Sequence, residues 1–361
     1  MPKKLDTSPY KGVRDFYPQD KFVQNYIFSV WHRVAESFGY EEYDASILEP
    51  SEIFKEKSGE EIVNEQTFTF TDRGGREVTL RPEITPTLAR MVAARRRELG
   101  FPLRLYSIPN LFRYEATQRG RLREHWQLNV DIIGASILQA DIETILVADK
   151  IMKEFGAKSQ DYEIRLNDPA KGANIDQLIG ALKDNGITNI KIDDTLARGQ
   201  TYYTGIVYEF FDTSSENPRS LLGGGRYDNL TSMFGDSSNL GFVGFGAGDV
   251  TIKDFLQTHN LLPTYESRTR LYIAITDISL SQEVINFALN LQSKGVNTAI
   301  DWSERKVGDQ IKNAAKHGVK FATVFGSEES EKKEFRIKNL DTGEEKTLKE
   351  QEIPDFLKAS L

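Results

Sequence analysis

The 361-residue chain contains no cysteine and only four histidines, His32, His125, His259 and His317. The first absence excludes disulfides and thiolate metal centres, and the histidines are too scattered for an HExxH-type pair. No protein-ligated metal is expected. No run approaches the roughly 18 apolar residues that a membrane-spanning helix needs, and the opening MPKKLDTSPYKGVRDFYP lacks the apolar core of a secretory signal. The expectation is a cytoplasmic protein with no membrane contact, for which the Asn229-Leu-Thr231 sequon has no use. Positive charge is in deficit as well: 46 lysines and arginines against 54 aspartates and glutamates leave a net charge of −8. That excludes a protein coating nucleic acid through a broad basic surface, though not one with local basic patches. The run Arg95-Arg96-Arg97 reads as a solvated helix end that complements the helix dipole. The common nucleotide and hydrolase templates are missing too, with no GxxxxGK[ST], no strand-GxGxxG-helix and no GxSxG.

What is present is an ordinary globular composition, 39% hydrophobic and 28% charged, in a chain long enough for two domains of roughly 100–200 residues each. DKFVQNYIFSVWHRVAESFGY (20–40) repeats apolar residues at three- and four-residue steps, an amphipathic helix ended by Gly39. TFTFTDRGGREVTLRP alternates Phe68 and Phe70 with threonines before an Asp-Arg-Gly-Gly turn, the pattern of a hairpin. Strand-like runs follow at PLRLYSIPNLFRYE, HWQLNVDIIGA, RGQTYYTGIVYEF and GFVGFGAG, with helices at ITPTLARMVAARRREL, ILQADIETILVADKIMKEFG and NIDQLIGALKDNG. Hairpins mixed with helices, without regular βαβ alternation, predict an α+β domain on one large antiparallel sheet flanked by helices. From about residue 270 strand and helix alternate strictly, predicting a compact α/β domain with a parallel core, and LLPTYESRT (261–269) reads as the linker. ERKVGDQIKNAAKHG places Arg305, Lys306, Lys312 and Lys316 along a helix of that second domain.

The residues that can carry chemistry are arginines and carboxylates spaced along strands, where alternate side chains share a face. Arg113 and Glu115 fall on one face of LFRYE, and Gln127, Asn129 and Asp131 on one face of the next strand, with the basic loop ATQRGRLRE between them. Such a pair of strands can hold a polyphosphate and a small polar substrate, because the planar arginine fork makes two charge-assisted hydrogen bonds to phosphate. The same pattern also describes a solvent-facing sheet with routine cross-strand ion pairs. Glu83 follows Arg81-Pro82 where a strand meets a helix, and LLGGGRYDNL offers a triple glycine ahead of Arg226-Tyr227-Asp228.

In this order the segments resemble the histidyl-tRNA synthetases, which are class II aminoacyl-tRNA synthetases. KGVRDFYP and its helix look like motif 1, LFRYEATQRGRLREHWQLNVDIIG like motif 2, RGQTYYTGIVYEF and LLGGGRYDNL like the two histidine-specific signatures, and the chain from Leu271 on like the anticodon-binding domain. The resemblance implies a catalytic domain over 1–260 with a shortened insertion region at 169–191, the linker 261–269, and an anticodon-binding domain over 270–361. It implies ATP with Mg²⁺, L-histidine and tRNA-His as partners, and a homodimer formed through motif 1. Arg198 and Arg113 would act on the α-phosphate, with Glu115 on the adenine amine and Arg121 on the outer phosphates. Glu83, Thr85 and Gln127 would hold the substrate ammonium. Asp131 would accept from the imidazole, where the family more often has glutamate, and Tyr203 would donate to it, with Tyr202 and Tyr227 closing the pocket. Gln118 and Arg119 would meet the tRNA acceptor end.

The chain departs from the family at Thr251, where motif 3 usually ends in an arginine over adenine, and at Gln200-Thr201, where an apolar residue and an aspartate are usual. Ala116-Thr117 replace the common Arg-Pro of the motif 2 loop. These departures keep open a second reading, a catalytically silent, histidine-sensing regulator built on the same fold.

Overall fold

The apolar stripe of residues 20–40 folds as α1 (Pro18–Ser37), started by a proline whose missing N–H is not needed there. Ile27, Val30, Trp31 and Val34 are buried along it. Gly39, at φ +78°, turns the chain where a side chain would be strained. The computed structural model describes residues 5–58, 66–169, 171, 175–196, 203–228, 230–236, 238 and 240–359. The chain divides into two units, Met1–Pro263 and Thr264–Leu361.

After α1 the first unit continues through β1 (Glu41–Glu42), β2 (Leu48–Pro50), α2 (Glu52–Ser58), β3 (Phe68–Thr71), β4 (Glu77–Leu80), α3 (Thr85–Ala94), β5 (Leu103–Ser107), β6 (Asn110–Phe112) and β7 (Glu124–Ile133). It then runs through α4 (Leu138–Glu154), β8 (Tyr162–Asn167), α5 (Ile175–Asp184), β9 (Ile190–Ile192), β10 (Val207–Asp212), β11 (Ser220–Arg226), β12 (Phe242–Gly248) and α6 (Asp249–Thr258). Among the described residues the large sheet has the order β1-β5-β7-β12-β11-β10-β8-β9, with β6 also paired to β7. Its central pairs are antiparallel, and only the edge pairs β1/β5 and β8/β9 are parallel. Side chains from α1, α4 and the sheet merge in one core around Trp31, Ile145, Tyr162 and Phe210. The Asp-Arg-Gly-Gly hairpin forms between β3 and β4, closed by Asp72 Oδ1, which accepts from Gly74 N at 2.8 Å and Arg76 N at 2.9 Å.

Two expected strands are shorter than their sequences suggest. β6 stops at Phe112, because Glu115 N donates back to the Arg113 carbonyl at 2.9 Å. Arg113 and Glu115 therefore sit in a turn and not on alternate positions of one strand face. β10 begins only at Val207, after an irregular approach in which Thr204 N and Arg226 N bond to Arg226 O and Ile206 O.

The second unit alternates as expected: β13 (Leu271–Ile275), α7 (Ser281–Ser293), β14 (Thr298–Ile300), α8 (Val307–Lys316), β15 (Phe321–Phe325), α9 (Ser327–Lys332), β16 (Glu334–Asn339), β17 (Glu345–Lys349) and α10 (Ile353–Ala359). β13 pairs in parallel with β14 and β15, and β16 and β17 extend the sheet antiparallel. Phe287 and Phe335 stack at 4.1 Å in its core. Arg305 and Lys306 precede α8, and two of the basic residues are already paired, Arg305 with Asp301 at 3.6 Å and Lys312 with Asp309 at 3.7 Å. Among the described residues no helix is long and apolar enough to cross a membrane.

Candidate active site

The floor of the candidate site is the pairing of β7 with β12. Gln127, Asn129 and Asp131 lie opposite Gly248, Gly246 and Gly244, and strand alternation puts the three polar side chains on one face. The glycines leave room for them. A Cβ on Gly246 would stand 2.5 Å from Gln127 Nε2, and one on Gly244 would collide with Asp131 Oδ1 and the Val130 carbonyl oxygen. Gly244→Ala is expected to cost about 1–3 kcal/mol by overpacking against a backbone atom that cannot move aside. Gly308→Ala, in open space on α8, is expected to gain a few tenths. Urea denaturation of the two variants checks the contrast, and equal stabilities would mean that the floor is not tight.

Asp131 is buried, its Oδ1 accepts from the Tyr227 hydroxyl, and its Oδ2 has no hydrogen-bond partner among the described residues. Burial pushes its pKa up to about 8. The bonded tyrosine is thus Tyr227, with the Tyr203 ring set edge-on to it at 6.0 Å. Tyr43, which no motif marks, lies near them. The Tyr43 hydroxyl is buried without a hydrogen-bond partner among the described residues, and its pKa is raised by burial first and then by the negative charge of Asp131. A buried orphan acceptor and a buried orphan donor are costly unless a ligand pairs with them.

The phosphate-binding candidates are held by bonds of their own. Arg113 Nε donates to the Pro82 carbonyl at 2.9 Å, tying it to the segment that carries buried Glu83 and Thr85, the first residue of α3. Arg81 before them is a clasp, donating to Ala45 O at 2.7 Å and Asn110 O at 3.2 Å. His125, two residues before Gln127 on β7, is held neutral: burial, and then the Arg113 and Arg14 charges, lower its pKa to about 3. Glu115 receives both Nε and Nη2 of Arg121. Gln118 and Arg121 exchange backbone bonds of 3.0 and 2.9 Å, making a hairpin with Arg119-Gly120 at its tip. Arg119 turns inward to Asn217, Thr258 and Glu216. Arg226 faces away from the floor and grips Asp141. Thr251 Oγ1 donates to Leu221 O at 3.0 Å and Gly248 O at 3.2 Å, fastening the start of α6 to β11. Arg198, Tyr202, Gln200 and Thr201 lie outside the described residues.

The structure thus brings Gln127, Asp131, Tyr203 and Tyr227 to one face, and Arg113, Glu83 and Thr85 to one shared segment contact. The period-two glycines of GFGAG were the available signal for the floor. Tyr43 and Asn217 carry no such signal.

A family model described as histidyl-tRNA synthetase matches residues 12–170 and 169–247, and one described as anticodon binding domain matches 271–360. The chain belongs to the histidyl-tRNA synthetase family. Among family relatives, the histidine–tRNA ligase of Leptospira biflexa is 36% identical over 433 aligned positions, covering 99% of each chain. That of Thermoplasma volcanium is 32% identical, covering 97% of this chain and 98% of its own. The apo histidyl-tRNA synthetase of S. aureus superposes with a TM-score of 0.84 at 25% identity, over 98% of this chain and all of that one. The class II fold with its anticodon-binding domain is therefore that of this synthetase family. The alignment with the Leptospira relative runs over more positions than this chain has residues, and the family match falls in two segments that meet at residues 169–170.

Proposed function

We propose that the protein activates L-histidine with ATP to histidyl-adenylate and transfers the histidyl group to tRNA-His. The observation that carries this reading is Asp131 Oδ2, a buried oxygen with no hydrogen-bond partner among the described residues, beside Tyr227 and above a glycine floor. An imidazole presents one N–H donor and one acceptor nitrogen, so it needs an acceptor and a donor facing it. Asp131 supplies the first in its ionised form, and a tyrosine hydroxyl, from Tyr203 or Tyr43, supplies the second. Glu83, Thr85 and Gln127 take the ammonium group, and Tyr202 closes the pocket. The carboxylate attacks the α-phosphorus in line as the bond to pyrophosphate breaks. Arg113 and Arg198 would stabilise the charge that develops on the phosphoryl oxygens, a role that needs no covalent step. Glu115 serves the adenine amine, and Arg121 reaches the outer phosphates by leaving Glu115. The second step passes the acyl group to the 3′-terminal ribose of the RNA, near Gln118 and Arg119.

Magnesium enters this reading as part of the nucleotide substrate. Such an ion is carried mainly by the phosphates of the nucleotide. The same reading assigns catalysis to residues 1–260 and anticodon reading to 270–361, joined by 261–269, with a shortened insertion at 169–191. It also includes a homodimer and a cytoplasmic location.

The test is histidine-dependent ATP–pyrophosphate exchange without tRNA. Exchange is expected, and Arg113→Ala is expected to lower it by about 10²–10³-fold. Absence of exchange in protein that still binds histidine would replace this reading with a histidine sensor.

A further inference from the structure

The turn between β10 and β11 holds a residue that no sequence motif singles out. Asn217 is buried, and its side-chain amide is fully used. Nδ2 donates to Asp212 Oδ2 at 2.6 Å and to Thr258 Oγ1 at 3.0 Å, while Oδ1 accepts from Arg119 Nε at 3.1 Å. Asp212 is itself fixed by His259 Nε2 at 2.8 Å and Ser214 N at 2.7 Å. Arg119 adds a bond to Thr258 Oγ1 at 3.4 Å and an ion pair with Glu216 at 3.5 Å. Gly120, at φ +72°, lets the hairpin tip lie close: a Cβ there would be 2.9 Å from Arg219 Cδ and 3.4 Å from Thr251 Cγ2. The base of the same hairpin is fixed separately, by Arg123 N on Gly12 O at 2.8 Å and Arg123 Nε on Glu115 O at 3.2 Å. Arg121 sits between these two anchors, paired with Glu115 at the base.

We propose that Asn217 and Arg119 form a latch that positions Glu115 and Arg121 for the nucleotide, so that Arg119 is a positioning residue for activation and not simply a contact for RNA. This rests on the activation reading above. A loop tied at both ends has less freedom to lose when the nucleotide orders it, and releasing one end moves that cost onto binding. The latch closes within this chain, so its loss is visible before any RNA is present. A residue that only touches RNA has no such effect.

The experiment compares the wild type with Arg119→Ala, Arg119→Lys, Asn217→Ala and the double alanine variant in tRNA-free exchange, with ATP affinity measured by calorimetry on the same proteins. Arg119→Ala and Asn217→Ala are each expected to raise KM and Kd for ATP about tenfold, with a smaller change in KM for histidine. The double variant is expected to be no worse than either single one, because both break the same bond. Arg119→Lys is expected to fall between, since an ammonium still donates to Asn217 or Glu216. The Arg119 side chain is more than half exposed, so Arg119→Ala reads the latch even where Asn217→Ala folds poorly. Normal ATP affinity in Arg119→Ala, with a defect only in transfer to tRNA, overturns the proposal, as do additive effects in the double variant. Absence of exchange in the wild type together with latch-dependent ATP affinity would sink the ligase reading and keep the latch.

Discussion

Asp131→Asn is expected to melt higher than the unsubstituted protein at pH 8.5 and to bind histidine at least about a hundredfold more weakly. Burial raises the Asp131 pKa from its ordinary 3.8 to about 8. Between those values the folded protein keeps a proton that the unfolded chain has released, so folding binds protons and stability falls as pH rises. The contribution is whole below about pH 4 and is lost by the time pH passes about 8. The Tyr227 hydroxyl donates to the same carboxylate and favours its ionised form, opposing burial. Asparagine never ionises, keeps an oxygen for Tyr227 and removes the slope. Its NH₂, however, replaces the acceptor Oδ2, and a ring N–H then faces another donor. Melting curves from pH 5 to 9 and a histidine titration measure both effects. Parallel melting profiles would mean that folded Asp131 is ionised throughout, and unaltered histidine affinity would remove it from the site.

Arg226→Ala is expected to destabilise the protein by about 3–5 kcal/mol, the usual cost of leaving a buried charge alone. Arg226 Nη2 lies 2.5 Å from Asp141 Oδ2, and Nη1 donates to the Ala135 carbonyl at 3.0 Å. Asp141 is buried in the first turn of α4, and burial raises its pKa despite the arginine. Without Arg226 the carboxylate must ionise unpaired or stay protonated. A joint Arg226→Met, Asp141→Leu replacement is expected to recover most of the loss, because neither charge then remains buried. Urea denaturation of the single and joint variants decides it, and a single-variant loss under about 1 kcal/mol would mean that the pair does not hold α4. Within GGGRYD, then, Arg226 serves the scaffold while its neighbour Tyr227 serves the candidate site.

The features legible in the sequence are those with a local period. The helical steps of α1, the two-residue alternation of Gln127, Asn129 and Asp131, and the strand-helix rhythm after residue 270 all survive in the structure. The strand composition of LFRYE puts Arg113 and Glu115 on one strand face, but a turn bond at Glu115 overrides that preference. Interactions between distant residues leave no period at all. Arg119 meets Asn217 across 98 positions of sequence, and the site gains Tyr43 from a segment with no motif. Only the packing of β7, the hairpin and the β10–β11 turn makes those neighbours.

The glycines of β12 also bear on how such a protein changes over generations. At Gly244 a Cβ would meet the Val130 carbonyl oxygen, so a substitution such as Gly244→Ala is opposed by its cost in folding before its effect on chemistry is tested. Change in what the floor admits there falls to the facing position on β7, in steps as small as one methylene. Aspartate and glutamate at position 131 differ by a step of that size.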